Sequence, residues 1–234
     1  MSKYKMFIRN CEKECEQVIG SFSAFFQTNK FQIGILFFIM IFTYLFEMTN
    51  YYLSFDEEVN NLRTNNLIWI TTGRWGIALL KYLNLGAIPV IATNNVILAV
   101  SFLFLSSVLF GYKIYQISGN KWAWFIFSSI YITFPYHGDW MIFGMSAFEG
   151  AVGLFLVMVT SICSFVFIAP KDTNDRAYRY LVLSILLLAF VISLNQSLIA
   201  VYIANISFLL FLSVYCPPPI ICRFLGVSRN LFMK

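Results

Sequence analysis

The chain has 234 residues, of which 59% are hydrophobic and only 12% charged, against roughly 25% charged in an ordinary soluble domain. That excludes a water-soluble globule. The net charge of +5 comes from lysines and arginines that lie mostly between long apolar runs, without the basic stripe or module that nucleic-acid binding requires, so nucleic acid is excluded as a partner and the charge is read as membrane topology.

Residues 1–30 are mostly polar but carry Val18, Ile19, Phe22, Phe25 and Phe26 at helical spacing, which predicts an amphipathic helix lying along the inner membrane interface. The five cysteines (Cys11, Cys15, Cys163, Cys216, Cys222) include no C-x-x-C pair near histidines. They do not form a zinc pattern and are read as reduced or buried.

Six apolar runs follow: Phe31 to Leu53, Ile88 to Tyr112, Lys121 to Pro135, Ala147 to Ala169, Tyr180 to Leu194 and Leu198 to Tyr215. Each reads as a membrane helix. The fold class is therefore an all-α integral membrane protein, a polytopic bundle of about six spans. It divides into a cytoplasmic segment (1–30), a membrane domain (31–215) with a large outer loop (54–87), and a cytoplasmic tail (216–234). The first run has no small-residue cleavage site behind it and is read as an anchor. With the amino terminus inside, 13 of the 16 basic residues fall in inner segments and only Arg63, Arg74 and Lys81 in outer ones, which orients both termini toward the cytoplasm. The runs from Lys121 and from Tyr180 have 15 residues each, roughly 22 Å of helix against a hydrocarbon core of roughly 30 Å. Either their outer ends stop inside the membrane and open an outward-facing cleft, or the helix ends lie a turn further out.

Candidate chemistry collects on the outer side. Asp56, Glu57 and Glu58 follow the first span, and Thr72-Gly73-Arg74-Trp75 comes shortly after. A carboxylate pair at a membrane interface can act as general base or metal ligand; it is equally the composition of a solvated acidic turn. Asp56, Arg63 and Arg74 would share a face if residues 56–74 formed one helix, but Gly73 and the Asn65-Asn66 pair argue against an unbroken one. Glu47 near the outer end of the first span, and Asn94 and Asn95 near that of the second, are polar groups at an expensive depth. His137, the sole histidine, and Asp139 suit a base, a metal or a structural role. Asn195-Gln196-Ser197 interrupts an apolar stretch with neither Gly nor Pro, so Gln196 either meets a sugar hydroxyl or simply ends two helices.

The order of an acidic pair after the first span (Asp56, Glu57), Gly73-Arg74-Trp75, and Gln196-Ser197 at the fifth-to-sixth span junction resembles the phage-type, serotype-converting O-antigen glucosyltransferases of the Gtr type. The resemblance covers roughly residues 31–215. Members are usually longer, and the chain corresponds to their amino-terminal half. The resemblance implies a lipid-sugar-dependent (C-type) glycosyltransferase fold in the bacterial inner membrane. It also implies transfer of a sugar, most simply glucose, from a polyprenyl-phosphate carrier to the O-antigen polysaccharide of lipopolysaccharide on the periplasmic face, with inversion. The implied roles are Asp56 as base, Glu57 orienting the acceptor or holding a cation, and Arg74 with Arg63 at the phosphate. Gln196 and His137 are weaker candidates for sugar contacts, and Asp139 is a further substrate-binding candidate. No cofactor is required, although a divalent cation is compatible. Membrane lipid surrounds the chain, and a flippase and a lipid-sugar synthase are candidate partners. The rival reading is a non-catalytic membrane protein, either a remnant of such an enzyme or a flippase or transporter subunit. A nearly charge-free mid-membrane speaks against a transport path.

Overall fold

The computed structural model describes residues 3–50, 70–82, 92–135, 137, 144–168 and 176–215. These residues form eight helices and no strand: α1 (Lys3–Thr28), α2 (Lys30–Thr49), α3 (Trp75–Tyr82), α4 (Ala92–Ser118), α5 (Lys121–Ile132), α6 (Gly144–Ile168), α7 (Arg176–Leu194) and α8 (Leu198–Tyr215). In hydrocarbon no water satisfies the backbone, so a long apolar run closes its N–H and C=O groups within its own helix. Stretches of α2, α4, α6 and α8 are long and apolar enough to cross a membrane, and the chain is a helical membrane protein.

The two short spans resolve differently. α7 begins at Arg176 and has 19 residues, about 28 Å of rise, because Arg176 and Arg179 continue the helix beyond the apolar run that marked its start. α5 has 12 residues and ends at Ile132 with Thr133 as its cap, about 18 Å of rise. Pro135 has no N–H to give and restricts Phe134 before it, so the helix cannot use the last residues of the predicted run. α4 goes the other way, passing the predicted end at Tyr112 to reach Ser118. Lys113 donates to Gln116 at 3.3 Å within that last stretch: the span ends where polarity begins, but the helix does not.

α4 and α6 make the most extensive helix contact, followed by α6 with α7 and α4 with α5. The crossing stretches of α4 and α6 are each 61% buried, whereas those of α2 and α8 are 22% and 17% buried. The first pair is therefore the interior and the second the periphery. Exposed Phe38, Phe42, Ile203, Phe211 and Val214 are side chains suited to lipid. Inside, the polar groups pair across helices. Ser107 and Ser128 exchange hydroxyl-to-carbonyl bonds between α4 and α5 at 3.3 and 3.1 Å. Between α6 and α8, Asn205 donates to the Met158 sulfur at 3.1 Å, and the Ser164 and Tyr202 hydroxyls stand 2.8 Å apart.

α1 is held to this bundle by aromatic contacts. Phe25 is buried against Tyr112, Tyr115 and Trp124, with ring centroids 5.1–5.3 Å away, and Phe22 meets Tyr112 edge-on. The apolar stripe expected along the interface is thus divided: Phe22 and Phe25 face protein, while Val18, Ile19 and Phe26 remain exposed. Asn29 is the joint. Its side chain donates to the Phe25 carbonyl at 2.9 Å and accepts from the Trp124 indole N–H at 3.2 Å. Replacing it orphans a buried indole donor, which costs about 1–3 kcal/mol. Asn29→Ala is therefore expected to lower the unfolding midpoint in detergent and to open the α1–α2 junction to limited proteolysis. A wild-type cleavage pattern and midpoint would contradict this anchoring.

Candidate functional site

The candidate site is a corner at the end of the bundle where α7 finishes and α8 begins. Gly73 has φ +77, a left-handed conformation that glycine adopts without the strain of a side chain. Its N–H bonds the Ile70 carbonyl at 3.0 Å, and the Arg74 carbonyl then accepts from Ile77 at 3.1 Å and from Ala78 at 3.4 Å. Arg74 is therefore the residue at which the chain turns into α3. The break at Gly73 also rules out a helix running unbroken from the acidic residues to Arg74.

α3 lies on the end of α7. A Cβ on Gly76 would collide with the Ser193 hydroxyl and come within 3.1 Å of Leu194, so only glycine permits this approach. Trp75 meets Phe190 edge-on at 5.6 Å. Ile77 and Leu80 share a buried apolar cluster with Phe148, Val152 and Leu194. Leu194 is followed at once by the turn Asn195-Gln196-Ser197, so Arg74 and Gln196 flank the same contact although 122 residues separate them. Both are exposed. Among the described residues no hydrogen bond or ion pair engages the Arg74 guanidinium, which leaves its planar donor fork available to an anion.

The turn needs neither Gly nor Pro because Asn195 shapes it. Its Oδ1 accepts from the backbone N–H and the hydroxyl of Ser197, both at 3.0 Å, an Asx turn that leads into α8. Ser197 is thereby committed to structure, while Gln196 stands at the tip.

One acidic residue of this corner escaped the sequence reading. A Cβ on Gly153 would meet Leu198 at 2.6 Å and Leu194 at 3.7 Å. Glu149, one turn earlier on that face of α6, lies beneath the α7–α8 turn and is 2% exposed. An acid inside the apolar run from Ala147 was the available signal, of the same kind that marked Glu47.

His137 belongs elsewhere. Beyond the end of α5, it packs edge-on against Tyr131 at 5.0 Å and Phe134 at 5.9 Å, not against α3 or α7 among the described contacts. Burial holds its ring down to about 4 from the usual 6.5, with the Tyr131 carbonyl opposing weakly. Asp56, Glu57, Arg63 and Asp139 lie outside the described residues, as does most of the loop 54–87. Among the described residues no group of three His, Cys, Asp or Glu side chains could hold a metal.

Because the buried ring stays neutral while the unfolded one takes up a proton, His137 destabilises the fold progressively as pH falls from 6.5 to about 4, and adds no further loss below that. The unfolding midpoint of the wild type should therefore fall more steeply across this window than that of His137→Phe. Parallel profiles would show that the ring is protonated in the folded protein.

The model of one family, described as Glucosyl transferase GtrII, matches residues 45–216, from the end of α2 to just past α8. No curated protein and no solved structure matches the chain.

Proposed function

The chain belongs to the GtrII glucosyl transferase family, and we propose on that footing that it transfers glucose from a polyprenyl-phosphate carrier to the O-antigen of lipopolysaccharide. The reaction runs on the periplasmic face of the bacterial inner membrane, with both termini cytoplasmic. The observation that carries the reading is the convergence of Gly73-Arg74-Trp75 with Asn195-Gln196-Ser197 around Leu194, at the bundle end that the distribution of basic residues makes outer. The exposed, unengaged Arg74 supplies what a phosphate monoester leaving group needs.

In this scheme the acceptor hydroxyl oxygen attacks the anomeric carbon and its proton passes to the Asp56 carboxylate. The bond from that carbon to the carrier oxygen breaks on the opposite face, and the electron pair leaves with the phosphate. Arg74 neutralises the charge as it grows, assisted by Arg63. Glu57 orients the acceptor, and Gln196, at the tip of its turn, hydrogen-bonds a sugar hydroxyl. A divalent cation is compatible with Glu57 but not demanded, since the leaving group carries a single phosphate. The flippase and lipid-sugar synthase that deliver the donor are the partners this reaction calls for. The nearly charge-free spans favour this reading over a transport subunit, whose path would place charge through the membrane.

With polyprenyl-phosphate glucose as donor, Asp56→Asn is expected to lower transfer by roughly a hundred- to ten-thousand-fold at unchanged membrane expression; near-normal transfer removes Asp56 as the base. Arg74→Ala should lower the rate more than the affinity, because the phosphate charge develops in the transition state. Arg74→Lys should recover only part of that loss, and full rescue by lysine would mean that Arg74 merely anchors α3 beside Trp75. Reporter fusions at the carboxy terminus should be active only when the reporter works in the cytoplasm. A periplasmic carboxy terminus would overturn the six-span orientation.

A further inference from the structure

Four buried polar atoms without a hydrogen-bond partner among the described residues collect at the expected outer ends of α2 and α5: Glu47 Oε2, the Tyr131 hydroxyl, and both ring nitrogens of His137. The contact that gathers them is the Tyr44 hydroxyl, which donates to the Ile132 carbonyl at 2.6 Å and ties α2 to the end of α5. Glu47 lies one turn beyond Tyr44 on the same side of α2 and within its electrostatic reach. Tyr131 is the neighbour of Ile132 and is likewise within reach of Tyr44. His137, 5% exposed, lays its ring across Tyr131 at 5.0 Å. Groups nearby do not satisfy these atoms. The Ser106 hydroxyl, which donates to the Phe102 carbonyl at 2.7 Å and could only accept from Tyr131, approaches it without reaching hydrogen-bond geometry. The Tyr131 carbonyl approaches the His137 ring without reaching hydrogen-bond geometry.

Buried donors and acceptors without a protein partner destabilise a fold, and one neighbourhood holding four of them calls for an occupant. Its chemistry can be narrowed. Among the described residues no lysine or arginine is part of the group, and the buried His137 ring is neutral, so an anion such as phosphate finds no counter-charge there. Glu47 and His137 do not make up a metal's ligand set among the described residues. What remains is a neutral molecule that both donates and accepts hydrogen bonds and presents apolar C–H faces to the rings of Tyr131, Phe134 and His137. A pyranose has that character.

We infer that Glu47, Tyr131 and His137 form a second binding site, distinct from the Arg74 corner, that holds a pyranose ring of the acceptor polysaccharide. The assignment of that sugar to the acceptor rests on the glucosyl-transfer reading above; the binding itself does not. Glu47 accepts from the sugar hydroxyls, Tyr131 donates to them, and His137 does one with each nitrogen.

The test is equilibrium binding of an O-antigen oligosaccharide, released from lipopolysaccharide, to the full chain in detergent. Wild type is compared with Glu47→Gln, Tyr131→Phe and His137→Phe. Tyr131→Phe removes a single oxygen from an unpaired position, so its fold is expected to hold at least as well as that of wild type. Binding should weaken roughly ten-fold for each lost hydrogen bond, and in a transfer assay the KM for the acceptor should rise while that for polyprenyl-phosphate glucose is unchanged. Absence of oligosaccharide binding to wild type, or equal affinity in wild type and Tyr131→Phe, means that water alone fills the group and overturns the inference. Transfer by wild type is scored separately. Transfer with an unchanged acceptor KM in the variants sinks this site and leaves the proposed function standing, whereas variant-sensitive binding without any transfer does the reverse.

Discussion

Everything at the candidate corner depends on the approach of α3 to α7 at Gly76. With no side chain there, the backbone of α3 reaches Ser193 and Leu194, and Trp75 can then cover Phe190 while Ile77 and Leu80 close over Leu194. Leu194 also reaches Gly153 on α6, beside the closer Leu198. One leucine thus joins three helices, and the turn that follows it is fixed relative to the residue that precedes Trp75. Small residues at such points are the usual means by which helices meet closely in lipid, where burial of apolar surface against another helix gains little over burial against acyl chains.

The distribution of polar groups follows the same logic. Within the spans, many serine and threonine side chains are satisfied locally: Ser161 bonds the Val157 carbonyl at 2.8 Å, and Thr160 bonds that of Leu156 at 2.7 Å. Toward one end of the bundle this economy breaks down. Glu47, Tyr131 and His137 carry buried atoms with no hydrogen-bond partner among the described residues. A membrane protein that needed only to fold would hold apolar side chains at these positions, since a half-satisfied polar group is worse than none. The two groups lie on opposite sides of the α4–α6 interior: Arg74, Gln196 and Glu149 with α7 and α8, the His137 group with α2 and α5.

The opposite end of the bundle is built differently. There Tyr112 accepts from Gln116 at 2.5 Å and shares a hydrogen bond with Ser21 at 2.6 Å. Asn29 joins α1 to Trp124, and aromatic rings fill the gaps. The polar groups of that anchor answer one another among the described residues.

Hydropathy alone determined that this chain is a helical membrane protein and where most of its helices lie. α8 occupies Leu198 to Tyr215 as its apolar run predicts, and α2 and α6 depart from theirs only at the ends, because a backbone deprived of water has no alternative to the helix. The motifs around Arg74 and Gln196 were also legible, as was the family. The lengths of α5 and α7 were not, since Pro135 stops one helix inside its apolar run and arginines prolong the other beyond its own. Nor was the role of Asn195, whose side chain supplies a turn that composition did not announce. The pairing of Gly73-Arg74-Trp75 with Gln196, the place of Glu149 beneath them, and the removal of His137 to a separate group were decided only by tertiary structure. Sequence periodicity records which side of a helix is apolar, but not which other helix that side will meet; contacts such as Gly76 on Ser193 and Tyr44 on Ile132 settle that.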